Sequence, residues 1–260
     1  MTTAAESSEL LDAFTAGDRR ALARVLSLVE SGEQELPHRP TPTASKPITV
    51  GITGSGGAGK STLIGALVQH LRADGKKVAV LACDPQSPKT GGALLGDRIR
   101  VRIDPADEGV YFRSVSTRGA PGGISACTAE AVDWLAAFGF DVVLVETVGI
   151  GQDQVAVADV VDTLVLIVTP AAGDEVQWEK AGVIELADLV VVNKADMPGA
   201  DRVQAALVHA LSLATHSIAT EASDSPIPVL STTATTGAGV AELWQAIMAL
   251  RTEGSIERSG

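Results

Sequence analysis

Aromatic side chains are scarce in this 260-residue chain: four Phe, three Trp and one Tyr, 3% of the total. Hydrophobic residues nevertheless reach 45%. The core must therefore be built from Ala, Val, Leu and Ile, which suits parallel strands covered by helices. Cysteine is nearly absent, with only Cys83 and Cys127. Two cysteines exclude a disulfide scaffold and a Cys-rich zinc site. Basic residues are in deficit, 20 Lys and Arg against 32 Asp and Glu, for a net charge of −12 and a pI near 4.7. That balance excludes a broad nucleic-acid or anionic-membrane surface. It leaves room for a local phosphate site, which needs only backbone amides and one lysine. No apolar run reaches the ~18 residues of a spanning helix. The opening MTTAAESSEL is polar and acidic and carries no secretory signal. The expectation is a cytoplasmic protein with no nucleic-acid or membrane partner.

What is present is an alternation of strands and helices. A chain of this length buries one substantial core, so one main domain is expected. Residues 7–32 read as two short helices. Asp18 stands as an N-cap, and Leu22, Val25, Leu26 and Val29 share one helical face. Residues 32–47 are rich in Pro, Ser and Thr and read as a linker. The expected division is 1–46 for the helical extension and linker, 47–252 for the main domain and 253–260 for a flexible tail. Strands are expected at 48–53, 78–83, 110–115, 141–147, 163–169, 189–193 and 227–232. Helices are expected at 60–73, 122–138, 175–187, 201–215 and 240–251. The runs VVLVE, LVLIV and LVVVN are continuous and β-branched, as in strands buried on both faces. Strand–helix alternation implies right-handed crossovers and an α/β fold with a doubly wound, mostly parallel sheet and helices on both faces. Ligands in such sheets sit beyond the carboxyl ends of the strands.

The first expected helix of that domain is preceded by Gly54-Ser55-Gly56-Gly57-Ala58-Gly59-Lys60-Ser61, which fits G-x-x-x-x-G-K-[ST] between a strand and a helix. A P-loop NTPase is expected, since this is the pattern of the phosphate-binding loop. Its glycines let the backbone curl, so that successive N–H groups point at phosphate oxygens. The helix adds its positive N-terminal end. Lys60 can reach the β- and γ-phosphates, the Ser61 hydroxyl can ligate magnesium, and Thr62 should lie near the α-phosphate. The competing reading is a Gly-rich turn that only packs a helix on a strand.

The base should be read at Asn193-Lys194-Ala195-Asp196, which ends the strand LVVVN. A carboxylate at Asp196 can accept both the ring N–H and the exocyclic amine of guanine. Adenine offers neither and would leave the carboxylate unpaired, a mismatch that can discriminate by ~10⁴. Lys194 can lay its stem over the purine, and Asn193 can tie neighbouring loops together. A second base loop is expected at Thr233-Ala234-Thr235, before Gly237-Ala238-Gly239. Both segments could instead be ordinary polar turns.

Three acidic positions are candidates for the metal. FDVVLVETVG places Glu146 at a strand end, with Gly149 three residues later. Glu146 can hold a magnesium-bound water, and the Gly149 amide can contact a γ-phosphate. Asp84 and Asp97 lie in a long Gly/Pro-rich segment after the second strand, and each could instead cap a helix. No Gln follows Gly149 directly; Ile150 does. Slow intrinsic hydrolysis, stimulated by a partner, is therefore expected.

Together these motifs resemble the MeaB/ArgK-type G proteins, whose human relative is the methylmalonic aciduria type A protein. The matching stretches are GDRRALARVLSLVES, GITGSGGAGKSTL, VLACDPQSPKTGGALLGDRIR, FDVVLVETVGIGQ, AGDEVQWEKAGVIELADLVVVNKAD and TTGAGVAELW. The resemblance implies a GTPase using GTP/GDP and magnesium, acting as chaperone of an adenosylcobalamin-dependent acyl-CoA mutase. By that likeness Lys60, Ser61, Asp84, Asp97 and Glu146 serve phosphate and metal, Asp196 reads guanine, and residues 171–188 form a mutase-responsive switch. Gly56 stands where the family often has proline, and Thr-Ala-Thr replaces its usual Ser-Ala-Leu. Family members continue past the helix of Trp244 into a dimerisation arm that these residues do not include, so a homodimer is left open. Three other readings compete: a nickel-insertion GTPase, a small-molecule kinase and a non-catalytic adaptor.

Overall fold

A computed structural model of the chain describes residues 4–32, 40, 46–83, 106–115, 123–147, 156–170, 184–217 and 227–257. Two helices open it, α1 (Ala4–Thr15) and α2 (Arg19–Ser31). Asp18 caps α2 by accepting from the Arg20 N–H at 2.7 Å, and Gly32 ends it in the left-handed conformation. The strands β1 (Ile48–Gly54), β2 (Val78–Cys83), β3 (Val110–Val115), β4 (Val142–Thr147), β5 (Thr163–Val168), β6 (Leu189–Asn193) and β7 (Val229–Thr232) form one parallel sheet in the order β3-β2-β4-β1-β5-β6-β7. The connecting helices are α3 (Lys60–Ala73), α4 (Gly123–Phe138), α5 (Ala200–Ser217) and α6 (Val240–Glu257). This is the doubly wound α/β architecture expected.

The sheet's position dictates its sequence. Residues of β2, β4, β5 and β6 are all buried, which is why those strands read as unbroken apolar runs. One face packs under α3 and α6, through Ile52, Leu63, Leu67, Leu144, Val191 and Leu243. The other packs under α2 and α4 through Leu22, Leu26, Leu81, Val143, Val145 and Trp134. Farther along that face, Val190 and Val192 meet Leu207 and Leu211 of α5. The opening helix pair is joined to the sheet by aromatic and ionic contacts. Phe14 meets Trp134 edge-on at 5.1 Å, and Arg113 of β3 binds Glu30 of α2 at 2.8 Å. Arg19 donates to the backbone carbonyls of Glu108 and Val110 and lies over the Tyr111 ring.

Strand starts are latched by aspartates. The Asp141, Asp162 and Asp188 carboxylates accept from the N–H groups of Lys77, Thr49 and Leu164 at 2.7, 3.0 and 2.7 Å. Each aspartate N–H returns a bond to the carbonyl of the same partner. This is why β4 begins at Val142 and not at the expected residue 141. The last strand begins at Val229 and not at 227, because Pro228 has no N–H and offers only its carbonyl, to Val190. Ile184–Leu186 form a turn where the end of a 175–187 helix was expected; the rest of that segment to residue 183 lies outside the described residues. The last helix continues to Glu257, past the expected end at 251, because its single Gly254 costs only ~1 kcal/mol and no proline intervenes. Among the described residues, no helix is long and apolar enough to cross a membrane.

Candidate functional site

The central strand β1 runs into the glycine-rich loop and then α3, with β4 on one side and β5 on the other. The chain leaves β1 toward β2 on one side and later crosses from β4 to β5 on the other, so the loop sits where the sheet's winding changes direction. The loop's shape requires glycine at its two ends. Gly54 has φ +148°, and a Cβ there would stand 2.3 Å from the Ile167 carbonyl oxygen. Gly59 has φ +90°, and a Cβ there would stand 2.4 Å from Asn193 Nδ2. Neither position tolerates a side chain without moving β5 or β6.

Lys60, the first residue of α3, is buried, and its ammonium donates to the Gly54 carbonyl at 2.9 Å and the Ser55 carbonyl at 3.1 Å. Burial lowers its pKa below the ordinary lysine value, while the Glu146 charge opposes that shift. An ammonium held this way is short of solvation, and an anionic phosphate would supply it. The Ser61 hydroxyl donates to Glu146 Oε1 at 2.8 Å, joining the start of α3 to the end of β4. Beside them the buried Thr147 hydroxyl donates to Thr53 at 3.0 Å, linking β4 to β1. A serine hydroxyl facing a buried carboxylate is an all-oxygen donor pair, which fits magnesium better than a softer metal. Thr62 is half-buried in the first turn of α3.

The other wall comes from β6 and β7. Asn193 is 1% exposed and satisfies three groups. Its Nδ2 donates to the Ala58 carbonyl at 2.9 Å, while its Oδ1 accepts from the Thr232 hydroxyl at 3.1 Å and the Ala234 N–H at 3.3 Å. One amide therefore holds the phosphate loop, the end of β7 and the Thr233-Ala234-Thr235 loop together. Lys194 adopts φ 59°, and its ammonium reaches the Gly57 carbonyl at 2.9 Å. Its stem thus crosses from the N-K-x-D turn to the phosphate loop. The turn is anchored by the Ala195 N–H on the Thr232 carbonyl at 3.0 Å, and Asp196 is exposed at its tip. Thr233 closes its own loop by donating its N–H to the Ala238 carbonyl at 2.9 Å; Ala234 is buried and Thr235 exposed.

The structure therefore brings together Gly54 through Thr62, Glu146, Asn193, Lys194, Asp196 and Thr233 through Thr235. Asp84, Asp97 and Gly149 lie outside the described residues, as does the switch expected at 171–188 as far as residue 183. Sequence reasoning did not find the Lys194–Gly57 bond or the aspartate latches. The aspartates carried a readable signal, since each stands immediately before a strand in FDVV, VDTL and ADLV.

The seven-stranded parallel sheet, the G-x-x-x-x-G-K-S loop on its central strand and the N-K-x-D turn beside that loop define a P-loop GTPase. A family model described as "Methylmalonyl Co-A mutase-associated GTPase MeaB" matches residues 22–258. The chain belongs to the MeaB family and is a GTPase that binds GTP and GDP. A Mycobacterium tuberculosis relative named "Probable GTPase" is 46% identical over 246 residues, 92% of this chain and 73% of its own. The Escherichia coli GTPase ArgK is 35% identical over 260 residues, covering 97% of this chain and 78% of that protein. The mouse mitochondrial "Methylmalonic aciduria type A homolog" is 42% identical over 228 residues, 86% of this chain but only 52% of that protein. Among solved structures, a LAO/AO transport system kinase superposes with a TM-score of 0.72 at 30% identity, covering 100% of this chain and 79% of its own. The nickel-bound HypB of Helicobacter pylori, at 16% identity and a TM-score of 0.53, shares the fold.

Proposed function

We propose that this GTPase is a slow, magnesium-dependent switch that attends an adenosylcobalamin-dependent acyl-CoA mutase, gating cofactor loading and protecting the mutase. The single observation that carries the switch reading is the Ser61–Glu146 hydrogen bond beside the buried Lys60. It joins the phosphate loop directly to the strand end that leads toward Gly149. The mutase reading is supported by the family's printed name.

In this reading the Lys60 ammonium exchanges its two loop carbonyls for phosphate oxygens and offsets their charge. Ser61 and Glu146 hold the metal, with Asp84 and Asp97 as further oxygen ligands or water-positioning groups. Magnesium, when bound, supplies charge neutralisation at the β- and γ-phosphates. Asn193 keeps the phosphate and base loops in one geometry, Lys194 covers the purine, and Asp196 accepts from guanine. Backbone amides of residues 233–235 meet the guanine carbonyl. Because Ile150 follows Gly149, the chain lacks an adjacent glutamine to orient water, and a partner completes the catalytic arrangement. The units proposed are a helical extension and linker at 1–46 and the GTPase domain at 47–252; the tail expected at 253–260 begins inside α6, which runs to Glu257.

The test is copurification with candidate acyl-CoA mutases, followed by GTP hydrolysis with and without each. Binding to one of them with an altered rate supports the proposal. No binding and no rate change with any mutase overturns the partner assignment. Rapid multiple turnover by the isolated chain overturns the slow switch.

A further inference from the structure

The end of β4 is tied down twice beside the phosphate loop, once on each face of the sheet. Glu146 of β4 pairs with Ile52 of β1, and the next residues along the two strands are Thr147 and Thr53. Side chains alternate between faces along a strand. Glu146 and Ile52 face α3, where Glu146 accepts from Ser61 and Ile52 shares a core with Leu63. Thr147 and Thr53 therefore face the other way, with Val143 and Val145, onto the core beneath α4. There the Thr147 hydroxyl donates to Thr53 Oγ1 at 3.0 Å, and both residues are 0% exposed. Each tie ends at a foot of the phosphate loop. Thr53 stands immediately before Gly54, and Ser61 immediately after Lys60.

The two ties differ in what nucleotide would do to them. With Ser61 and Glu146 holding magnesium, their mutual hydrogen bond is given up on loading. The Thr147–Thr53 bond lies on the opposite face from Ser61, and burial keeps water from replacing either partner. Stability alone does not call for this pair. Two valines would fill the same β-branched shape, and replacing both partners of a buried hydrogen bond by apolar groups of that shape is nearly neutral or stabilising. What valines would not supply is direction. Apolar contact is non-directional, whereas a hydrogen bond fixes both distance and angle between the strand ends.

We infer that Thr53 and Thr147 are positioning residues for GTP hydrolysis: their bond fixes the end of β4, and with it the Glu146 carboxylate, once Ser61 no longer does. The role is indirect. Thr147 acts through its chain neighbour Glu146, Thr53 acts through Thr147, and neither touches nucleotide. This inference rests on the reading that Ser61 and Glu146 hold magnesium.

The experiment compares the full chain with Thr53→Val, Thr147→Val, the double Val variant and Thr147→Ser. GTP hydrolysis in magnesium separates kcat from KM. Loss of one hydrogen bond predicts that each single Val variant lowers kcat about fivefold, with KM held within about twofold. Both break the same bond, so the double variant falls no further. Thr147→Ser, which keeps the hydroxyl, retains wild-type kcat. The melting temperature of the nucleotide-free chain drops in the single variants, which strand one buried hydroxyl, and recovers in the double one while kcat stays low. The double variant therefore decides the matter if a single one folds poorly. A kcat that recovers together with the melting temperature overturns the inference and marks a purely structural pair. So do losses that multiply in the double variant, which would mark two unrelated effects. Calorimetric titration of GDP in magnesium and in EDTA tests the metal reading separately. The gain from magnesium should shrink about fivefold in the double variant, with affinity in EDTA unchanged. An equal gain in wild type and the double variant sinks the inference alone. If wild-type GDP affinity ignores magnesium, the metal reading of Ser61 and Glu146 falls first and takes this inference with it.

Discussion

Replacing Asn193 with alanine should loosen both halves of the nucleotide site at once. The side chain is 1% exposed, and its amide makes three hydrogen bonds, to Ala58, Thr232 and Ala234. Each is worth about 1 kcal/mol net, and the buried groups left behind add a desolvation cost of similar size. Some relaxation of the exposed base loop offsets part of this. The expected loss of stability is about 3 kcal/mol. It is measured by urea denaturation of the nucleotide-free chain, comparing midpoints at constant slope. GDP affinity should fall more than tenfold, because Ala58 and Ala234 belong to the phosphate and base loops. Asn193→Asp separates the bonds. It retains an acceptor for Thr232 and Ala234 but turns a carboxylate toward the Ala58 carbonyl, so GDP affinity should again fall. A stability loss below about 1 kcal/mol in Asn193→Ala, with GDP affinity intact, would refute the claim that this amide organises the site.

Three further outcomes follow from the packing and the charges. Burial pushes the Asp162 carboxyl up, but bonds from the Thr49 N–H, Lys46 and the Thr49 side chain together hold it below its ordinary value near 3.8. A depressed carboxylate stabilises the fold above the unfolded value and loses that contribution as pH falls through the folded one. Asp162→Asn should therefore melt lower than wild type at pH 7, with the gap closing below about pH 4; a constant gap would contradict the assignment. Trp134, 1% exposed and edge-on to Phe14, should cost about 3–5 kcal/mol when cut to alanine, read from urea midpoints. Burial pushes the Cys127 thiol up to about 12. At pH 8 it should resist iodoacetamide in the native chain and react promptly in urea; rapid native labelling would show that the site opens.

Much of the fold was legible because buried parallel strands leave an unambiguous signature. VVLVE, LVLIV and LVVVN carry no alternation, since both faces are covered. The α2 face of Leu22, Val25, Leu26 and Val29 was equally plain, and all four are buried. Boundaries were less legible, because they depend on partners distant in sequence. Asp141 leaves its strand to bind Lys77, and Val229 takes over from Pro228 only because of what Val190 needs. In the site, Lys60, Ser61 and Asn193 could be read from local motifs. The bond from Lys194 to Gly57, 137 residues apart, could not.

The central place of β1 also sets the order in which the molecule can be made. Its partners are β4 and β5, so Ile48 waits for Val142, and Gly54 waits for Ile167. The Asn193 brace on Ala58 comes later still, and Thr232 and Ala234 complete it. The phosphate loop is thus synthesised before the strands β4, β5 and β6 that fix its shape. Such long-range closure is slow, and an emerging chain spends that interval with apolar strands uncovered. Nucleotide can bind only the completed arrangement. At a hundredfold excess over its dissociation constant it adds about 2.7 kcal/mol to the finished fold. Cellular GTP and GDP would then act on the nascent protein as a late check on correct assembly.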